Sequence, residues 1–230
     1  MGKANGIYQR SDHRWEARYK KGVAPNGRAI YGSVYGATRE EAAQKRYELT
    51  GKGEEAPVST ELNLLILGAG SHGRDVMEIA ESLQVFNKIS FLDDNVAGDN
   101  IIGKCSEALK YKQEYPCAFV AIGDNKKRKK YAKYLKDCNF LVPKLISPRA
   151  FISSGAKIGE GTVVMAQANL GSVDIGKFCI IAPSSTINSD SVIKDYARVD
   201  SGAIIAREEV LQESTWVKSG EIYSKKIKTA

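Results

Sequence analysis

The sequence predicts an α/β-plus-β protein in three parts. These are a small three-stranded sheet with one helix, a half-Rossmann βαβαβ domain, and a left-handed parallel β-helix of hexapeptide repeats. Three observations carry this: residues 1–53 alternate in period two between turn signals, G-x-G-x-x-G follows a buried strand near residue 68, and aliphatic residues recur every six positions from Ile146 onward. The boundaries fall at 1–53, a polar linker at 54–61, 62–144 and 145–230. The chain has 230 residues, 43% of them hydrophobic, enough for several small cores. No apolar run reaches the roughly 18–20 residues of a membrane span, and no apolar signal core stands at the N-terminus. The four cysteines, Cys105, Cys117, Cys138 and Cys179, lack paired spacing. The expectation is therefore a cytoplasmic protein with reduced cysteines, no metal and no membrane partner.

In the first part, "GIYQR", "RWEARYK" and "RAIYGSVYG" read as strands, separated by "SDH" and the turn "APNG". "TREEAAQKRYEL" reads as a helix, opened by a Thr38–Glu41 capping box and stopped at Gly51. Trp15, Tyr19 and Ile7 are expected to pack under Ala42, Ala43 and Tyr47. That leaves Tyr8, Arg10, Arg14, Arg18 and Lys20 on an exposed face. Residues 1–53 hold eleven basic against five acidic side chains, so this part carries +6 of the chain's +7. Such a sheet suits a polyanion, DNA included, and equally a solvated face or a protein-docking surface.

In the second part, the strand at Leu64–Leu67 runs into Gly68, Gly70 and Gly73, with a helix from about His72. Glycines there let the backbone approach a phosphate at a helix N-terminus. "KISFLDDN" is the next strand, ending in Asp93 and Asp94, which are placed to meet a ribose or a base. "CAFVAIGDN" is another, with Gly123 completing the nucleotide-binding set. The basic helix "KKRKKYAKYLKD" reads as a solvated face. This much chain makes half of a dinucleotide fold, enough for a mononucleotide or a nucleotide sugar. His72 lies in the glycine loop, within reach of a ligand or of solvent.

The third part carries the six-residue repeat: Ile146, Ile152, Ile158, Val164 and Leu170, then, after a step of five, Ile175 and every sixth residue to Tyr223. Neither a helix nor an alternating strand has that period. It fits coils of three short strands with the repeated side chain inward, turning at small residues: Gly155, Ala156, Gly161, Ser184, Gly202 and Ala203. The last coils are expected to be short or irregular, ahead of a frayed basic tail at Lys225, Lys226 and Lys228.

"GIYQRSDHRWEARY" with "NGRAIYGSVYGATREEAAQKRYEL" resembles the AP2-type DNA-binding domain and the arm-binding domain of phage integrases. That resemblance implies DNA contacts from Tyr8, Arg10, Arg14, Arg18 and Lys20. "LLILGAGSHGRDVMEIAE", "FLDDN", "VAIGDNKKRKKYA", "LISPRAFISSGAKIGEGTVVMAQANL" and "IGKFCIIAPSSTI", in that order, resemble the sialic-acid O-acetyltransferases and the bacillosamine-type nucleotide-sugar N-acetyltransferases. This second resemblance spans about residues 62–210. It implies a homotrimer, acetyl-CoA as co-substrate along the seam between subunits near Gly202 and Ala203, and an acceptor sugar at the glycine loop.

The family pattern I-x-H-[DE]-x-x-I reads here Ile187-Asn188-Ser189-Asp190-Ser191-Val192-Ile193. Ser189 stands where the resemblance implies the catalytic histidine, and the chain's two histidines, His13 and His72, are too far along the sequence to replace it locally. A serine hydroxyl is no base near neutral pH, and Asp190 serves as one where burial raises its pKa. Glycine follows the inward aliphatic at Gly159 and Gly176, then gives way to Lys194, Asp200, Ala206, Gln212 and Lys218. Two readings stay open. One is an acetyltransferase working through Asp190, Ser189 and Asn188. The other is an inactive trimeric scaffold, phage-related and virion-associated if phage-encoded, presenting three basic modules to DNA or another partner.

Overall fold

The computed structural model describes residues 6–24, 27–50 and 62–225. It divides into two compact units, Met1–Thr60 and Glu61–Ala230.

In the first unit, β1 (Ile7–Gln9), β2 (Trp15–Val23) and β3 (Ala29–Gly36) form an antiparallel sheet in that order, with α1 (Arg39–Thr50) across one face. The Thr38 hydroxyl accepts from the Glu41 amide, and the Glu41 carboxylate accepts from the Ala37 amide, so the helix start is capped reciprocally. Ala17, Ala42 and Ala43 are buried, and small side chains let helix and sheet approach closely. Tyr47 corrects the expected packing: it is 41% exposed, and the next position on the buried stripe is Arg46, 7% exposed. Pro25 and Asn26 of the first-part turn, Gly51, the linker, and Lys226 and Lys228 lie outside the described residues.

The second unit begins with a parallel sheet of order β6-β5-β4-β7, made of β4 (Asn63–Leu67), β5 (Lys88–Leu92), β6 (Ile101–Gly103) and β7 (Cys117–Val120). All five residues of β4 are buried, which explains the apolar run at 64–67, while Asn63 at its start donates to the Glu114 carbonyl. Two helices, α2 (Ser71–Ser82) and α3 (Asn125–Asp137), follow β4 and β7.

From Leu145 to Tyr223 the chain winds as a left-handed β-helix of fourteen two-residue strands, stacked in three parallel sheets of five, five and four. Partner strands lie one coil apart, as in Ile180↔Arg198 and Arg198↔Trp216. The repeated aliphatics from Val164 to Val217 are all at most 4% exposed and form one core. Backbone φ is positive at every sixth residue over long stretches: Ser184 (58°), Asp190 (67°), Tyr196 (60°) and Gly202 (68°). The left-handed corners thus accept serine, aspartate and tyrosine as well as glycine. Ala203, expected at a corner, points inward and is fully buried. The final coil is regular, not irregular: Ile222–Tyr223 keeps parallel register with Ile204–Ile205.

Candidate functional site

A cleft of about 520 Å³ lies where the carboxyl ends of β4, β5 and β7 meet the β-helix. Its wall brings together six residues expected from the sequence, Gly68, Gly70, His72, Asp93, Asp94 and Gly123. It adds Cys105, Lys127, Lys130, Tyr131 and Arg198, which sequence reasoning did not single out.

The three loop glycines serve different needs. Gly68 has φ +106°, and a Cβ there would come within 2.7 Å of the Ala121 carbonyl oxygen. Gly73 packs α2 on the loop, its would-be Cβ 2.0 Å from the Gly68 oxygen. Gly70 meets nothing within 4 Å. It is also the N-cap of α2 and supplies no side-chain cap, so the helix start opens toward the cleft as an anion site would.

Asp93 and Asp94 build the wall rather than offering bare carboxylates. Asp93 accepts from the amides of Ala69 (2.7 Å), Asn95 (2.8 Å) and Val96 (2.9 Å). Burial works to raise its pKa, but these three donors outweigh it and hold the acid below its usual range. Asp94 accepts from the Cys105 amide at 3.0 Å and the Tyr131 hydroxyl at 2.8 Å. Burial, reinforced by Asp94 and Asp93, pushes the Cys105 thiol up to about 12, so it remains protonated and is no nucleophile.

His72 has a buried Nε2 without a hydrogen-bond partner. Burial, with Arg128 and Arg198 adding to it, lowers the imidazole to about 4 despite Asp200 nearby. It is therefore neutral at physiological pH. A neutral imidazole turned to the cleft either donates to or accepts from a ligand without adding charge.

Arg128, read from the sequence as part of a solvated run, is 1% exposed. Its guanidinium donates to the carbonyls of Ile122, Gly123, Phe178 and Tyr196 and to the Asn125 side chain. It ties the floor of the cleft to two corners of the β-helix. Asn125 donating to the Ser214 carbonyl and Lys129 pairing with Glu213 extend the same seam.

The residues expected to perform transfer lie outside this cleft. The Ser189 hydroxyl accepts from the Ser172 amide at 3.2 Å and packs over Gly171, where a Cβ would be 2.5 Å away. Asn188 donates to the Ile205 carbonyl. Asp190 is exposed at a left-handed corner and is held by Arg207 at 2.6 and 3.1 Å, so the burial that would have made it a stronger base is not there. Ala203 has its side chain in the coil core and both backbone groups bonded, to Asp200 and Thr186, whereas Gly202 is an exposed corner open to a ligand.

On the separate N-terminal sheet, Tyr8, Arg10, Arg18 and Lys20 share a face with the buried Glu16. Glu16 accepts from Arg10 at 2.7 Å and from Ser33 at 2.6 Å. Arg14 pairs with Asp12, and Arg10 and Arg14 lie over Tyr35 while Arg18 lies over Tyr31. Among the described residues no cluster of three His, Cys, Asp or Glu suits a metal, and no helix is long and apolar enough to cross a membrane.

Comparison with known proteins follows this division. The family described as the PglD N-terminal domain matches residues 63–135, the glycine-loop half. UDP-N-acetylbacillosamine N-acetyltransferase of Bacillus subtilis (strain 168) is 32% identical over 114 residues, 45% of this chain and 51% of that protein, so the match spans about half of that relative. The acetyltransferase domain of PglB from Neisseria gonorrhoeae FA1090, also solved with acetyl coenzyme A, is similar with a TM-score of 0.60 at 27% identity. The match covers 70% of this chain and 87% of that one. A mutant GDP-perosamine N-acetyltransferase from Caulobacter crescentus, solved with CoA and GDP-perosamine, shares the fold with a TM-score of 0.64 at 22% identity, over 70% and 88%. By local sequence and by fold, the second unit is thus similar to nucleotide-sugar N-acetyltransferases.

Proposed function

We propose that the chain binds a nucleotide-linked amino sugar in the glycine-loop cleft and transfers an acetyl group to it from acetyl-CoA, at a rate held down by the lack of an imidazole base. The observation that carries this is the cleft itself. An open glycine at an uncapped helix start faces Lys127, Lys130 and Arg198, the arrangement an anionic nucleotide requires.

Transfer needs the sugar amine to attack the thioester carbonyl, a base to take the amine proton, and donors for the oxyanion. Ser189 supplies a hydrogen bond and no basicity. Asp190 is exposed and its Oδ2 is engaged by Arg207. A missing general base costs about 10² to 10⁴ in rate, so an acceptor amine already partly neutral reacts slowly and a hydroxyl more slowly still. The reading includes three copies with their β-helices side by side and acetyl-CoA along the seam at Gly202.

Thermal-shift titration with acetyl-CoA and with UDP-, GDP- and CMP-sugars tests it, followed by detection of free CoA. Stabilisation by both ligand classes with slow thiol release is expected; no response to either sinks the proposal. The Asp190–Arg207 pair favours a second reading, a nucleotide-sugar-binding protein retired from catalysis. Stabilisation by the sugar without any thiol release would select it.

For the first unit we propose duplex DNA along the β1–β3 face, supported by Arg18 over Tyr31 and by Lys20 beside it. Salt-dependent binding to random duplex, weakened by Arg18→Ala plus Lys20→Ala, is expected. Binding that ignores salt or both substitutions defeats it.

A further inference from the structure

Arg198 is an outward residue between two coils of the β-helix, and no sequence motif uses it. In the fold it lines the same cleft as Gly68, Gly70 and His72, elements far from it along the chain. Its side chain is fixed from two sides. Nε donates to Asp200 Oδ1 at 2.6 Å, and the guanidinium carbon lies 4.9 Å from the centroid of the Trp216 ring. Trp216 in turn donates its indole N–H to the other Asp200 oxygen at 2.7 Å. Asp200 is 8% exposed, so the carboxylate end of the pair is withdrawn from solvent while the guanidinium keeps an open edge. With Nε occupied, the Nη edge is turned to Gly123, where any Cβ would lie 3.0 Å from Nη1.

We propose that Arg198 is an anion-binding residue contributed to the acceptor cleft by the β-helix, oriented by Asp200 and Trp216, and that it grips the phosphate of the nucleotide moiety. This rests on the nucleotide-sugar reading of the cleft. A guanidinium restrained at Nε presents its remaining N–H donors as a fork, the geometry that matches two phosphate oxygens. The two acids in the cleft wall do not compete for it, because Asp93 and Asp94 accept from backbone amides and Tyr131. Lys127 and Lys130 stand on the same wall, and Arg128 is buried behind Gly123. With Asp93 and Asp94 taken up by amides and Tyr131, and Asp200 by Arg198 Nε and Trp216, the Nη edge of Arg198 and the two lysines are the cations left facing a ligand in the cleft.

Calorimetric titration of the full chain with UDP, GDP, the matching nucleosides and inorganic pyrophosphate tests this in wild type, Arg198→Gln, Arg198→Lys and Trp216→Ala. Loss of a charged hydrogen-bonding group predicts about 10- to 100-fold weaker diphosphate binding for Arg198→Gln, with nucleoside binding within about threefold. Arg198→Lys restores part of the loss, as a point charge without the fork. Trp216→Ala falls between, because it frees the side chain without removing it. Nucleoside diphosphates binding Arg198→Gln as tightly as wild type overturns the assignment and leaves the nucleotide reading standing. Arg198-dependent pyrophosphate binding with no response to any nucleotide does the reverse. Absence of all anion binding by wild type defeats both. Unchanged unfolding midpoints confirm that the variants are folded; a loss tracking lowered midpoints across all three variants makes Arg198 a structural brace and overturns the assignment.

Discussion

Replacing Arg128 by methionine removes a buried cation that has no carboxylate ion-pair partner among the described residues. The side chain makes five hydrogen bonds, to Phe178 O (2.9 Å), Ile122 O (3.0 Å), Gly123 O (2.8 Å), Asn125 Oδ1 (2.6 Å) and Tyr196 O (2.7 Å). Burial lowers its pKa to about 10, so it stays protonated at neutral pH. Hydrogen bonds to a charged group contribute roughly 1.5–3 kcal/mol each. Against that stands a desolvation penalty of several kcal/mol for the ion. Methionine fills most of the volume, so the cavity contribution is small. What remains is the orphaned acceptors. Ile122 and Gly123 border the cleft and can recruit water, whereas Phe178 O and Tyr196 O face the seam. Two buried acceptors at about 1–3 kcal/mol each give an expected loss of roughly 4 kcal/mol. Urea unfolding of the full chain at pH 7 measures it as a shift in midpoint at constant slope. A methionine variant as stable as wild type, as some buried ion pairs allow on apolar replacement, refutes the clamp. Arg128→Lys, which keeps the charge but not the fork, should fall between.

Three further outcomes follow from the same geometry. Ser189→His should raise acetyl transfer, measured as thiol release, by about 10² to 10⁴ if the missing base limits the rate; no change would place the limit elsewhere. Gly73→Ala should destabilise by more than about 2 kcal/mol, since its Cβ would sit 2.0 Å from the Gly68 oxygen, while Gly70→Ala, with open space, keeps its melting midpoint and weakens nucleotide binding. His72 titrates near 4 in the fold against 6.5 unfolded, so on acidification the unfolded chain takes up its proton first. That part of the stability is fully present above about pH 6.5 and is lost as pH falls toward 4, amounting to at most about 3 kcal/mol. His72→Phe should flatten the midpoint over that interval, and an unflattened profile would assign it to other groups.

The β-helix was legible because its period reports backbone geometry directly: every coil must put an aliphatic inward, wherever it lies in the chain. The glycine loop was legible for a similar reason, since close approach and positive φ are local demands. Hydrogen-bond partners are not local. Asp93 and Asp94 do line the cleft, but nothing in "FLDDN" shows that the amides of Ala69, Asn95, Val96 and Cys105 and the hydroxyl of Tyr131 will take up their oxygens. Tyr47 failed because the buried side of a short helix is settled by small residues, here Ala42, Ala43 and the stem of Arg46. Arg128 was misread through its neighbours, yet a signal existed. It stands at helical spacing with Tyr131, Ala132 and Leu135, all buried, and so lies on the apolar stripe rather than the lysine face.

Arg198 and Trp216 were discoverable in the same way. They are one coil apart, and outward residues one coil apart are lateral neighbours in a parallel sheet. The position that links them is Asp200, where the repeat's usual glycine is replaced. Taken with serine at 189, where the resemblance implies histidine, that replacement reads in the sequence as a departure from the repeat. In the fold its buried carboxylate holds Arg198 with one oxygen and Trp216 with the other. The penalty of burying the acid is offset by a donor on each of its oxygens, Arg198 Nε on one and the Trp216 indole N–H on the other. Ser189 and Asp200 are therefore separate matters: the first stands where the resemblance implies a histidine, on the coil surface, and the second holds Arg198 at the cleft.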